Sequence, residues 1–314
     1  MGRIGELQVV DPVLTNLARG YTNAQMMGKT LFPFVAVTKE QNKIPLFSKE
    51  SFKAINTLRA IRAKSNVMDP EGIDSVECGL EEHDISYPID MREIRASKNV
   101  INLESYGVRA ASAIIALAHE IGCAELAQNA SNYGASNKKT LTGQGQFSDY
   151  AHSDPVAVIT AAKEAVRGQI GRKPNTALMG AAAYITLASH PQLLERIKYS
   201  QLGVVTVELM QTIFGISKIV VGEAVSMNKK GVISDVWGDN IILAYVPGVD
   251  DGQEPSIYEP AYGYSLRAED YPKAGPWMSE DNKVENINVT DLIKPHIVGA
   301  DAGYLIADTN AAAA

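Results

Sequence analysis

Residues 206–225 read TVELMQTIFGISKIVVGEAV, a compact helix-turn-strand unit. Thr206 is a natural N-cap, and Glu208 falls in the first turn, where the helix dipole favours an acid. Leu209, Ile213 and Phe214 form an apolar stripe, and Gly215 suits a left-handed stop. Ile219, Val220 and Val221 then predict a buried strand closed by Gly222. No His, Cys, Asp or Ser sits where such a unit usually presents a nucleophile or ligand, so the unit reads as architecture.

Working outward, short strands alternate with short helices from Asn175 onward. The pattern predicts a strand over 176–179, a helix over 181–189 broken at Pro191, and a strand over 241–246, which makes a small α/β domain. Asp154 and Pro155 start an earlier helix whose Val158, Ile159, Ala162 and Val166 face one side. Before it, beyond a polar linker over 136–153, Asn102 caps a long helix reaching to about residue 132, with Gly134 as its stop. Leu103, Tyr106, Ala110, Ile114, Leu117, Ile121 and Ala124 recur by threes and fours and predict its inner face, with His119 pointing away. Such a helix is roughly 45 Å long, enough to traverse a subunit. The last 55 residues hold Pro260, Pro272, Pro276, Pro295 and short β-like runs such as 303–306, and are expected to return beside the long helix.

The N-terminal 35 or so residues carry apolar clusters, Val9, Val10, Val13, Leu14 and Leu17, then Leu31, Phe32, Phe34 and Val35, and read as an arm lying on another surface. From residue 39 the charge is sorted: 39–64 holds seven bases and two acids, whereas 69–84 holds seven acids and no base. Ile44 and Leu46 hint at an ingoing strand and Ile85, Tyr87 and Ile89 at an outgoing one. Phe52, Ile55, Leu58 and Ile61 recur every three residues and suggest a helical turn between them. A two-stranded excursion of about 40 residues is barely stable alone, so its contacts should come from neighbours.

The chain of 314 residues, 46% hydrophobic, is large enough for one big or two modest domains. Its net charge of −7, from 36 acids and 29 bases, argues against coating nucleic acid with a basic face. The best unbroken apolar run, 110–118, is interrupted by Ser112 and ends at His119 and Glu120, short of the ~18 residues a membrane span needs. Arg3 and Glu6 do not suit a signal peptide. Cys78 and Cys123 lack CxxC spacing and read as free thiols in a reducing cytosol.

Catalytic and ligand signals are weak. Gly28, Lys29 and Thr30 look like the end of a phosphate-binding loop, but its first glycine would fall at Asn23, and Pro33 sits where the helix should grow. His119 and Glu120 begin an HExx pattern that ends in Cys123, two potential ligands without a third or fourth. His83, His152, His190 and His296 are scattered, and only the fold could gather them into a triad. Gly143 and Gly145 give a lone GxG in a linker. Tyr258, Tyr262, Tyr264, Tyr271 and Trp277, interleaved with Arg267 and Lys273, could stack on bases. Glu259, Glu269 and Asp270 oppose that, and core packing or a subunit interface is the better reading.

The order of parts resembles the tailed-bacteriophage major capsid proteins of the Hong Kong 97 type. The resemblance is carried by 206–225, by 175–199 (NTALMGAAAYITLASHPQLLERIKY) and by 75–90, where a Cys in an acidic run leads into an alternating strand. It implies an α+β fold with an N-terminal arm (1–38), an extended loop (39–90), a peripheral domain with a spine helix (91–174), an axial domain (175–259) and a return to the peripheral domain (260–314). It implies no catalytic residue, metal or cofactor. Pentamers and hexamers would form an icosahedral shell around double-stranded DNA, without sequence-specific binding. The implied partners are a separate scaffolding protein, a portal and a decoration protein, with no membrane, and the chain would be made in the host cytoplasm for the virion. A nanocompartment shell of encapsulin type holding protein cargo, and a cytosolic α/β enzyme, are the alternatives. The charge sorting nominates Lys49, Lys53, Arg59, Arg62, Lys64, Glu77, Glu81 and Glu82 as inter-subunit contacts, bases meeting acids of a neighbour or of the returning limb.

Overall fold

The computed structural model describes residues 23–46, 57–59, 61–62, 64–66, 74–97, 102–197, 205–249, 261–279 and 283–311. The sequence readings at Val9, Val10, Val13, Leu14, Leu17, Lys49, Phe52, Lys53, Ile55 and Tyr258 lie outside them.

The quoted unit folds as expected. Helix α7 (Val207–Phe214) ends at Gly215, whose φ of 58° returns its N–H to the Gln211 carbonyl, and β7 (Lys218–Gly222) follows. Thr206 occupies the cap position, but its side chain bonds the Glu208 carboxylate instead of a backbone N–H. β7 runs parallel to β6 (Thr176–Gly180), with α5 (Ala181–Ala188), α6 (Pro191–Ile197) and α7 between them. The sheet continues through β10 (Ile241–Ala244), β14 (Gly303–Ala307) and β5 (Lys138–Thr140) in the order β5-β14-β10-β6-β7. Two of its five strands therefore come from outside 175–259.

The three central strands β6, β10 and β14 are buried on both faces, which is why they read as unbroken apolar runs. Ala177, Met179, Ile241, Leu243, Tyr304 and Ile306 point to one side, against α4 (Pro155–Ile170), α5 and α7. Leu178, Ile242, Ala244 and Leu305 point to the other, against Cys123, Ala124 and Ala127 of the long helix α3 (Leu103–Gln128). Leu31 and Phe32, from the short helix α1 (Gly28–Leu31) and the residue after it, are fully buried in this second core. That part of the expected arm thus belongs to the body of its own subunit, and β1 (Phe34–Val37) extends the attachment by pairing in parallel with β11 (Gly263–Ala268).

The second large sheet is organised by β13 (Val284–Ile297), fourteen residues long. It pairs antiparallel with β4 (Glu82–Asp90), β12 (Lys273–Ser279) and β11. Helix α3 lies across β4 and β13 and buries Leu103, Gly107, Ala111 and Ile115 against Ile89, Ile287 and Val289. The inner face is therefore rotated from the expected one. Tyr106 is 40% and Ile114 53% exposed, whereas Ile115 is 8% and His119 8% exposed. The reason is close approach: a Cβ on Gly107 would stand 3.0 Å from the Tyr87 ring and 3.4 Å from Ile287, so small residues face the sheet.

Asn102 caps α3 by accepting from the Ser105 N–H, as expected. The helix stops at Gln128, because Asn129 turns extended and caps a separate 3₁₀ turn, Ala130–Asn132; Gly134 is not the stop. By length and composition α3 is apolar enough to cross a membrane, although its unbroken apolar runs are short. Its inward-facing residues serve both cores.

Candidate assembly surfaces

The stem of the charged excursion is the ribbon of β2 (Gln41–Leu46) and β3 (Asp74–Gly79), paired from Gln41↔Gly79 to Leu46↔Asp74. Ile44 and Cys78 anchor it to Val37, Tyr264 and Leu266. Lys43 and Glu77 sit opposite each other and form an exposed ion pair of 2.9 Å, worth only ~0–1 kcal/mol. This is one meeting of a base on the ingoing limb with an acid on the returning limb. Glu81 pairs instead with Lys294 of β13, and that ammonium holds the Glu81 carboxyl below its usual range. Glu82 is exposed at the start of β4, opposite Leu292. Arg59, Arg62 and Lys64 are exposed, Arg62 with a left-handed φ of 68°. Lys49 and Lys53 lie outside the described residues.

The larger surfaces are apolar. Hairpin β8–β9 (Val225–Met227 and Ile233–Asp235) exposes Met227 and Ile233 by 69% and 64%. Edge strand β12 exposes Trp277 and Met278, which alternate onto opposite faces of the strand, so that neither face of β12 is covered. Tyr106 and Ile114 add an outer stripe on α3. Of the described C-terminal aromatics, Tyr262 and Tyr264 are buried core, as packing predicts, Tyr271 is half-buried, and Trp277 is exposed for an interface. Exposed Val, Ile, Met and Trp at several separate places suit contacts with other chains.

The buried polar groups serve structure. Glu120, fully buried on α3, accepts from the N–H groups of Met27 (2.9 Å) and Gly28 (2.7 Å) and from Trp237 Nε1 (2.7 Å). It thereby joins the N-terminal segment, the long helix and the loop before β10, a role that no sequence spacing announced. His119 lies 2.8 Å from Ser265 Oγ, and its Nε2 is 3.6 Å from Cys123 Sγ. Burial first, then the charges of Arg267 and His83, push the imidazole down to about 4. Burial and the nearby Glu120 push the Cys123 thiol up. A neutral imidazole beside a protonated thiol is the reverse of an activated Cys–His pair. No group of three His, Cys, Asp or Glu able to hold a metal occurs among the described residues.

The fold also gathers Ser153 and His190, 3.0 Å apart and both buried. His190 Nδ1 accepts from the Gln192 N–H, so Nε2–H donates to Ser153, whose hydroxyl donates to the Asp149 carbonyl. In a catalytic triad Nδ1 must donate to a carboxylate and Nε2 must accept. Both polarities are inverted, and the pair fastens the start of α4 to the start of α6.

A chain whose buried Glu120, His119 and His190 tie elements together, and whose exposed hairpin and edge strand are apolar, matches known proteins along its whole length. It is 50% identical over 310 residues to the major capsid protein of Burkholderia phage BcepMu, covering 99% of this chain and 100% of that one. The family described as Phage major capsid protein E matches over residues 126–290. The chain belongs to the phage major capsid protein family. Among solved structures, a phage-related protein from Bordetella bronchiseptica RB50 is 32% identical with a TM-score of 0.77, over 98% of this chain and 99% of that one. The mature capsid of bacteriophage PhiM1 shares the fold at 12% identity, with a TM-score of 0.53 over 93% and 89%. The SrpI encapsulin of Synechococcus elongatus PCC 7942 does so at 12% identity, with a TM-score of 0.50 over 98% of each chain. The architecture is the Hong Kong 97-type capsid fold, and this phage capsid protein functions in the virion as one of many copies of itself.

Proposed function

We propose that the copies associate as pentamers and hexamers of an icosahedral shell that encloses double-stranded DNA without reading its sequence. The end-to-end match to a phage major capsid protein carries this reading. The acidic balance agrees with it, since a net charge of −7 suits enclosing DNA better than gripping it. Synthesis in the host cytoplasm, a scaffolding protein and a portal supplied by other chains, and the absence of catalysis belong to the same reading. So does the division into arm, extended loop, peripheral domain, axial domain and return. Lys49, Lys53, Arg59, Arg62 and Lys64, with Glu77, Glu81 and Glu82, then form a salt-sensitive contact between neighbouring loops. Glu77 and Glu81 take part while holding Lys43 and Lys294 of their own chain. A nanocompartment enclosing protein cargo is the weaker reading, because encapsulin shares the fold alone.

Electron microscopy of the purified protein, with sedimentation of particles from phage-producing cells, tests this. Closed shells and DNA that co-sediments with the chain are expected. A monodisperse small oligomer in both preparations, or shells filled with protein and free of DNA, would refute it.

A further inference from the structure

The ladder that β11 and β12 share with β13 is interrupted between Arg267↔Ile293 and Lys273↔Thr290, where residues 268–272 stand opposite only 291 and 292. Asp291 lies at this break and is buried on the same side of β13 as Val289 and Ile293. Helix α3 meets the break with Ser112 and Ala116, which are too small to fill it, and a cavity of about 390 Å³ remains. Met26 and Phe34 of the N-terminal segment wall its other side.

Arg267 and Asp291 both line this cavity, and they are joined by one bond only. Arg267 Nη2 donates to Asp291 Oδ2 at 2.7 Å. A closed guanidinium–carboxylate fork would add a second, parallel bond from Nε–H to Oδ1. Here that second bond is missing: Nε and Oδ1 are both buried, and neither has a partner. A buried donor and a buried acceptor left open side by side are costly, and native structures rarely keep them so. The other buried polar groups of the lining are engaged, Glu120 by its three donors and His119 by Ser265.

We infer that this cavity binds a primary carboxamide on a short apolar stem. The amide oxygen accepts from Arg267 Nε–H, the amide NH₂ donates to Asp291 Oδ1, and the stem lies against Phe34, Ile115, Pro272 and Val289. Charged heads fit worse. A carboxylate meets Asp291 as a like charge and an ammonium meets Arg267 as one, and each leaves one of the two open atoms unpaired. Water satisfies the polar pair but offers no stem to the apolar wall. Because neither open atom touches solvent, the head enters as the guanidinium, 29% exposed and 4.4 Å from the centre of the Phe34 ring, turns about its bond to Oδ2. The site lies within one subunit, so it stands apart from the shell geometry proposed above.

Isobutyramide is the probe, with isobutyrate and isobutylamine as its charged counterparts. In unassembled, isotope-labelled full-length protein, isobutyramide should shift the Arg267 Nε–H resonance saturably at millimolar concentration, and each counterpart should bind at least about tenfold more weakly. The resonance is identified by its loss in Arg267→Lys. Ala116→Leu, at an exposed position of α3, fills the cavity and should abolish the shift without changing the circular dichroism. The comparison of probes on the wild type decides the matter if that variant loses its fold. Equal binding of the three probes, no saturable shift, or a shift that survives in folded Ala116→Leu would overturn the inference. Equilibrium dialysis of labelled isobutyramide with assembled particles then separates two sources of the carboxamide. Exclusion from particles assigns it to an Asn or Gln side chain of a neighbouring copy, and retained binding assigns it to a free amide.

Discussion

Glu120 is the side chain whose removal should reveal how the N-terminal segment is held. Glu120→Ala leaves three donors, the Met27 and Gly28 N–H groups and the Trp237 indole N–H, without their acceptor. Hydrogen bonds to a charged partner are worth ~1.5–3 kcal/mol each, but the half-buried Met27 N–H can turn to water, so a loss of about 4 kcal/mol is expected. That is a large part of a typical folding stability of ~5–15 kcal/mol. Glu120→Gln makes a finer test. Oε1 accepts from both Met27 and Trp237, so an amide oxygen placed there keeps two bonds, while the NH₂ group faces the Gly28 N–H and loses one. Its cost should be ~1.5–3 kcal/mol. Urea unfolding of unassembled subunits at neutral pH, with unchanged m-values, measures both. The reasoning fails if the alanine variant costs less than about 1 kcal/mol, or if the two variants unfold at the same midpoint.

The rotated face of α3 predicts that Ile115→Ala costs ~2–4 kcal/mol in the same assay, while Ile114→Ala stays within ~0.5 kcal/mol; the reverse order would restore the face suggested by periodicity. His119 is neutral in the fold down to about 4 but has an ordinary value near 6.5 when unfolded. Protons therefore bind the unfolded chain first, and stability should fall as pH drops from about 6.5 towards 4, by at most about 3 kcal/mol from this group. His119→Gln should flatten that slope, although burial lowers His190 and His296 as well and leaves a remainder. Reversing Lys53, Arg59 and Arg62 to Glu should lower particle yield while the circular dichroism of the subunit is kept; normal yield would remove the loop charges from assembly.

The α/β sheet was legible where a strand, such as 176–180 or 241–244, is a dense apolar run. Its partners β5 and β14 were harder to place, since Lys138, Lys139 and Thr140 are polar and only register, not composition, puts them on the sheet. The face of α3 was misread for a physical reason: periodicity weighs large residues, whereas the sheet is met by Gly107 and Ala111. β13 escaped notice behind its Asn, Asp, Lys and His residues, although Ile287, Val289, Asp291 and Ile293 alternate inward as a strand should. Glu120 and its partners are about 90 and 117 residues apart in sequence. No local pattern can carry a contact of that kind. The loop charges were legible as charges only, and Lys294, the partner of Glu81, lies more than 200 residues away.

β4 runs directly from the charged excursion into the body, and it is hydrogen-bonded along β13 from Glu82↔Leu292 to Asp90↔Val284. Tension applied to the excursion pulls β4 along its own axis. The load therefore falls on the whole ladder at once, in shear, and does not peel it open bond by bond. A strand loaded in this way slips only when several bonds break together, and a one-residue slip would turn Ile85, Tyr87 and Ile89 out of the core. The subunit can thus be loaded through the β2–β3 ribbon without β4 tearing from its base.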